Sequence, residues 1–297
     1  MGAPGGPSAK ADDYRQGLIG HERHGPVGAV PVIAAPGLTS HRAVWHQMIA
    51  HLPDADVVGA DLRGRGASRD LPGPSSIGRH ALDLIDVADE LGIERFVLAG
   101  HSLGAFVAVD CAAAHPDRVA GLLLVDGGVT IPPPSATVDA GAKAAADLQA
   151  ILARLGQTFE SYEAYHDFWR DHPALGPYWS DAIAAYMDAD LCGHAPSLRP
   201  AANADRVTED LADLYGIGRV DPFQALQVRT VILRAERGIL DQPMGLYPAG
   251  YLQAVAAEQP LVQVREVEHV NHYTILLGDT GASHVAVALR DILDDVS

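Results

Sequence analysis

Short apolar or β-branched runs alternate with stretches of helical period up to about residue 126. Val30 to Ala35 (VPVIAA) reads as a buried strand ended by Pro36-Gly37, and His41 to Leu52 as a helix. Ala55 to Ala60 (ADVVGA) is a second strand, followed by the charged turn Asp61-Leu62-Arg63-Gly64-Arg65-Gly66. Ser76 to Leu91 places apolar residues at 77, 81, 82, 84, 85, 88 and 91, close to a helical period. Arg95 to Ala99 (RFVLA) is a third strand. Leu103 to Ala114 is a helix stopped by His115-Pro116, and Val119 to Val125 (VAGLLLV) is a fourth strand. Gly17 to His24 fits an antiparallel edge strand. Strands that alternate with helices predict an α/β fold: a mostly parallel central sheet with helices on both faces.

The alternation then breaks. Ile131-Pro132-Pro133-Pro134 is a rigid exit from the sheet. From Val138 to about Asp221 the chain is Ala-rich, helical and aromatic, and no strand is expected there. Thr230 to Arg234 (TVILR) resumes the sheet, Leu261 to Val267 (LVQVREV) adds a strand, and Thr280 to Val296 closes with a helix. The expected organisation is a core of residues 15–130 and 226–297, interrupted by a helical insertion over 131–225. Residues 1–14, rich in Gly, Pro and Ala and without an apolar run, read as a flexible leader and not as a signal peptide.

Composition narrows the function classes. With 297 residues, 48% of them apolar, core size does not limit the fold. The formal charge of -17 repels phosphate backbones, which argues against nucleic acid or an anionic membrane as partner. Cys111 and Cys192 make no disulfide framework and read as small core residues in a reducing compartment. No apolar run reaches the roughly 18 residues of a membrane span. A soluble, cytoplasmic protein is expected, and a homodimer is compatible with the sequence.

The chemistry concentrates at Gly100-His101-Ser102-Leu103-Gly104. This is G-x-S-x-G between a strand and a helix, where a sharp turn needs small neighbours and lifts the Ser102 hydroxyl above the carboxyl end of the sheet. A serine needs a base, and Glu268-His269-Val270-Asn271-His272 follows the last strand. His272, deeper in the loop, is the preferred base; His269 reads as a loop residue near the strand end. The third group is a carboxylate at a strand's carboxyl end. Asp126, directly after VAGLLLV, is preferred, with Asp241 as the alternative acid; Glu236 is nearer its strand but is expected to pair with Arg237. Oxyanion donors are expected from the backbone N–H groups of Leu103 and Leu38.

These residues resemble the α/β-hydrolase fold superfamily in its cap-bearing, serine esterase and lactonase-like branch. The resemblance rests on GHSLG, on Asp61-Leu62-Arg63-Gly64-Arg65-Gly66-Ala67-Ser68 (similar to the family's D-x-R-G-x-G-x-S turn), on PGLTSHRAVW and on the late His272. Where the family usually carries His-Gly, this chain has Pro36-Gly37. The family's usual acid position falls near Gly238, so the resemblance implies the variant arrangement with the acid after an earlier strand. The Ser102–Asp126 spacing is similar to that of zearalenone-type lactonases. The resemblance further implies that the inserted helices form a lid over Ser102; an aromatic lid suits a bulky, hydrophobic small-molecule substrate, with Trp169 and Trp179 as pocket candidates. The function it implies is hydrolysis of a hydrophobic ester or lactone through an acyl-enzyme, with no cofactor.

Competing chemistries fare less well. His41, His46 and His51 do not share a helix face, and no H-E-x-x-H occurs, so no metal site is expected. Arg63 and Arg65 read as structural ion-pairing residues. C–C bond or thioester hydrolysis could use the same triad, and a non-catalytic small-molecule-binding protein could retain it.

Overall fold

The computed structural model describes residues 17–28, 30–132, 149–215 and 221–296. The leader expected over 1–14 lies outside them.

Seven strands form the central sheet: β1 (His21–His24), β2 (Val32–Ala35), β3 (Val57–Ala60), β4 (Phe96–His101), β5 (Val119–Val125), β8 (Arg229–Ala235) and β9 (Val262–Val267). Their order is β1-β3-β2-β4-β5-β8-β9, with β1 antiparallel to β3 and every other pair parallel. Successive residues of a strand face opposite sides of a sheet. Val32 and Ala34 therefore pack with Val97, Leu123 and Leu233 against Val285 and Leu289 of the final helix. Ile33 and Ala35 pack on the other side with Leu98, Leu122, Leu84 and Val107. A sheet covered on both faces explains why its strands read as continuous apolar runs.

The covering helices are α1 (His46–Ala50), α2 (Ile77–Glu90), α3 (Leu103–Ala114), α8 (Tyr251–Ala256), α9 (Thr274–Leu277) and α10 (Asp279–Val296). Ser76 caps α2, its Oγ accepting from Arg79 N at 3.1 Å. The helix expected over His41 to Leu52 is instead a 3₁₀ turn, Arg42–Trp45, leading into the short α1. The Arg42 N–H donates to Asp61 Oδ1 at 2.7 Å, and this side-chain acceptor from another loop holds the start of the segment.

Between β5 and β8 lie α4 (described over 149–155), α5 (Tyr162–Arg170), α6 (Asp181–Ala189) and α7 (Ala204–Leu214). The expectation of no strand here is corrected by a small antiparallel pair, β6 (Leu191–Cys192) with β7 (Arg199–Pro200). Two-residue strands are too short to leave a period in the sequence. Phe159, Tyr165, Phe168 and Trp169 pack together inside this segment, edge-to-face from 4.6 Å for Phe159–Tyr165 to 6.2 Å for Tyr165–Trp169, with Tyr165 and Phe168 parallel at 6.3 Å. Among the described residues no helix is long and apolar enough to cross a membrane.

Candidate active site

Strand β4 runs into the G-x-S-x-G turn and carries Gly100 and His101 with it. The chain then reverses at Ser102, whose φ of 53° and ψ of -118° lie outside the ordinary allowed regions. Two glycines make that turn sterically feasible. A Cβ on Gly100 would lie 2.2 Å from Gly104 O, and one on Gly104 would lie 2.3 Å from Ala35 O. The Ser102 N–H is held by Val125 O at 3.0 Å. Leu103 opens α3, so its N–H is among the unpaired donors of a helix start.

Asp126 directly follows strand β5, adopts a positive φ of 45° and is fully buried. Its N–H donates to Leu233 O at 2.8 Å, and its Oδ1 accepts from Ala235 N at 3.2 Å. The remaining oxygen, Oδ2, lies 2.6 Å from Nδ1 of His272. With Nδ1 engaged, Nε2 is the ring nitrogen available to a hydroxyl. The turn after Asp126 abuts the serine: a Cβ on Gly127 would lie 2.4 Å from Ser102 O.

The loop carrying His272 is fixed from two sides. His101 Nε2 donates to the His272 carbonyl at 2.9 Å, and the two rings lie 4.8 Å apart. Burial, reinforced by neighbouring His272, holds His101 well below the ordinary histidine pKa, so it is a neutral donor. Asn271 Oδ1 accepts from the N–H groups of Tyr273 and Thr274 at 3.0 and 2.9 Å, a side-chain cap that starts α9.

Asp241 stops one residue short of His272. It bonds Asn271 Nδ2 at 3.0 Å and Arg237 at 2.8 Å. The pairing expected between Glu236 and Arg237 does not form; Glu236 accepts from the His269 N–H at 2.6 Å instead. His269 itself points into solvent, its side chain 88% exposed.

The loop after β2 lies beside the serine. A Cβ on Gly37 would be 3.3 Å from both Ser102 Cβ and His101 Nδ1, and the Leu38 N–H takes no acceptor among the described residues. Trp169 is buried and joins His272 through a chain of ring contacts: Trp169–His172 at 5.2 Å, His172–Tyr273 at 5.7 Å and Tyr273–His272 at 5.7 Å. Trp179 packs elsewhere, against His166 at 5.4 Å and under the Arg170 guanidinium at 5.0 Å.

A sequence model of the alpha/beta hydrolase fold family matches residues 30–278. The chain belongs to the α/β hydrolase fold family. Among curated relatives, lipase LipV of Mycobacterium tuberculosis is 33% identical over 177 residues, which is 60% of this chain and 62% of that protein. The match thus spans less than two thirds of that lipase. Among solved structures, E-2-(acetamidomethylene)succinate hydrolase is similar at a TM-score of 0.71 and 22% identity, covering 92% of this chain and 94% of that one. A thermophilic esterase from Thermogutta terrifontis is similar at a TM-score of 0.64 and 22% identity, covering 94% of this chain and 93% of that one. At such identities the likeness is one of fold.

This hydrolase-fold chain holds features that spacing alone did not reveal. His101, the variable residue of G-x-S-x-G, buttresses the loop that carries His272. Arg63 pairs with Asp83 at 2.8 Å and Arg65 with Asp210 at 2.5 Å, both buried. Glu22, His24 and His46 bring three donor atoms within 4.8 Å of one another. Arg42 Nε already lies 3.3 Å from Glu22 Oε2 and counters that carboxylate. Spacing within 41–51 missed this group because two of its members come from β1.

Proposed function

We propose that this chain is a serine hydrolase that cleaves a hydrophobic ester or lactone. Ser102 is the nucleophile, His272 the base and Asp126 the acid. The observation that carries the reading is the 2.6 Å bond between buried Asp126 and His272 Nδ1, made beside a serine in a strained turn. Asp126 sets the tautomer and favours the imidazolium that forms during attack.

His272 Nε2 takes the Ser102 proton as Oγ adds to the acyl carbonyl. The N–H groups of Leu103 and Leu38 receive the oxyanion. His272 then passes its proton to the leaving alkoxide, and the C–O bond breaks to leave an acyl-serine. Water, deprotonated by His272, releases the acid and regenerates the hydroxyl. Esters and lactones share these steps and differ only in whether the alcohol stays tethered. The segment between β5 and β8 serves as the cap, and its aromatic interior, with Trp169 linked to His272 through the rings of His172 and Tyr273, supports an apolar acyl or alcohol group.

The test is p-nitrophenyl ester turnover followed from the first milliseconds. Wild type gives a burst of p-nitrophenol, and Ser102→Ala loses it with a fall in kcat of about 10⁴-fold or more. Saturable ester binding without turnover by wild type reduces the protein to a binder of such compounds. Turnover that survives Ser102→Ala moves the nucleophile elsewhere.

A further inference from the structure

We infer that Arg65 is a positioning residue that holds the oxyanion loop and couples it to the cap through Asp210, an inference that rests on the proposed role of the Leu38 N–H. Arg65 is completely buried within the Asp61–Ser68 turn. Its Nε donates to the Leu38 carbonyl at 2.7 Å and its Nη1 to the Arg63 carbonyl at 2.7 Å. Its Nη2 lies 2.5 Å from Asp210 Oδ2, as an ion pair rather than an aligned hydrogen bond.

Asp210 belongs to α7 of the cap and is itself fully buried. It also accepts from Ser75 Oγ at 2.7 Å and lies 3.0 Å from His80 Nε2. The backbones meet at the same place. Arg65 forms an isolated antiparallel bridge with Ala202, and the Asn203 N–H donates to Gly64 O at 2.8 Å, directly ahead of α7.

Leu38 is therefore gripped at both ends. Its amide side begins at Gly37, which abuts Ser102, and its carbonyl is held by Arg65. Pro36 gives the loop no polar side chain of its own. A guanidinium presents its donors in a rigid planar fork, so a shift of Asp210 is transmitted to Leu38 rather than absorbed. Seating of α7 on the core thereby sets where the Leu38 N–H points, and an oxyanion donor displaced by a fraction of an ångström loses most of its effect.

The test compares wild type, Ser102→Ala, Arg65→Lys and Asp210→Asn. The readouts are the rate of Ser102 phosphonylation by a fluorophosphonate, and kcat and KM for a p-nitrophenyl ester. Arg65→Lys keeps a charge for Asp210 but cannot span the three acceptors. Its labelling rate and kcat are expected to fall about 10- to 100-fold. KM stays within about threefold, because the loss falls on the transition state. The pH midpoint of kcat/KM stays in place, since the His272–Asp126 pair is untouched. A merely structural role would lower the melting temperature while the folded enzyme kept its kcat. Labelling absent from wild type, or unaffected by Ser102→Ala, overturns the nucleophile reading. Labelling that depends on Ser102 yet keeps its wild-type rate in Arg65→Lys overturns the role of Arg65 alone. If Arg65→Lys does not fold, the isosteric Asp210→Asn decides: a fall of about 3- to 10-fold supports the coupling, and an unchanged rate overturns it.

Discussion

Asp126 and His272 are joined by a 2.6 Å hydrogen bond across 146 positions of chain, while Asp241 meets Asn271, the residue just before His272, at 3.0 Å. The two acids consequently act at different removes. In the proposed triad, Asp126→Asn presents an amide where a carboxylate would favour the imidazolium, so kcat/KM is expected to fall about 10⁴-fold. Asp241→Asn weakens a half-exposed pair with Arg237 and one bond to Asn271, so the fall should stay below about tenfold. Ester kinetics on both variants decide, and the reverse ranking transfers the acid role to Asp241.

The turn at Ser102 depends on the absence of two side chains. Gly104→Ala forces a methyl to 2.3 Å from Ala35 O, a backbone atom of a central strand that has no room to yield. Overpacking at such a place is expected to cost about 3 kcal/mol or more in urea unfolding. Gly78→Ala is the control, because nothing lies within 4 Å of its added Cβ and it sits on a helix. A Gly104→Ala protein as stable as wild type would show that the turn has slack.

Acid should weaken the fold through its buried histidines. Burial lowers the pKa of His101, His41 and His172 below the ordinary value of 6.5. A lowered value means that the unfolded chain takes up protons which the native chain refuses. The associated stability is complete above about pH 6.5 and declines as pH falls below it. Thermal melts from pH 8 to pH 5 should show a plateau and then a fall. His101→Gln, which keeps an N–H donor toward His272, should make the fall shallower. A slope unchanged by that substitution would place the acid lability in other groups.

The two thiols should differ in reactivity. Burial pushes the Cys111 thiol up to about 12, whereas Cys192 is half-buried at the edge of the β6–β7 pair. Thiolate is the reacting species, so Cys111 is inert at ordinary pH. Native protein treated with a chromogenic disulfide at pH 8 should release the equivalent of Cys192 only, and Cys192→Ser should abolish the signal. Fast modification of Cys111 would mean that α3 opens on the assay's timescale.

The sequence by itself determined the architecture, because each strand and each amphipathic helix writes its own burial into a local period. Val32 to Ala35 and Val119 to Val125 are apolar throughout since both faces of their sheet are covered, and α2 carries its apolar stripe against that sheet. The strand–turn–helix around Ser102 was legible because its motif is contiguous: Gly100 is demanded by Gly104 O four residues on, although Gly104 answers to Ala35 O of a neighbouring strand. Tertiary structure alone decided what the loops do when they converge. It paired Asp126 with His272 while Asp241 went to Arg237 and Asn271, set Glu236 on the His269 amide, and tied Arg65 to both Leu38 and Asp210. Such partners lie up to 146 positions apart, and an ion pair or hydrogen bond leaves no periodic trace. It depends on where independent chain ends meet above the sheet, and that is a property of the packed molecule.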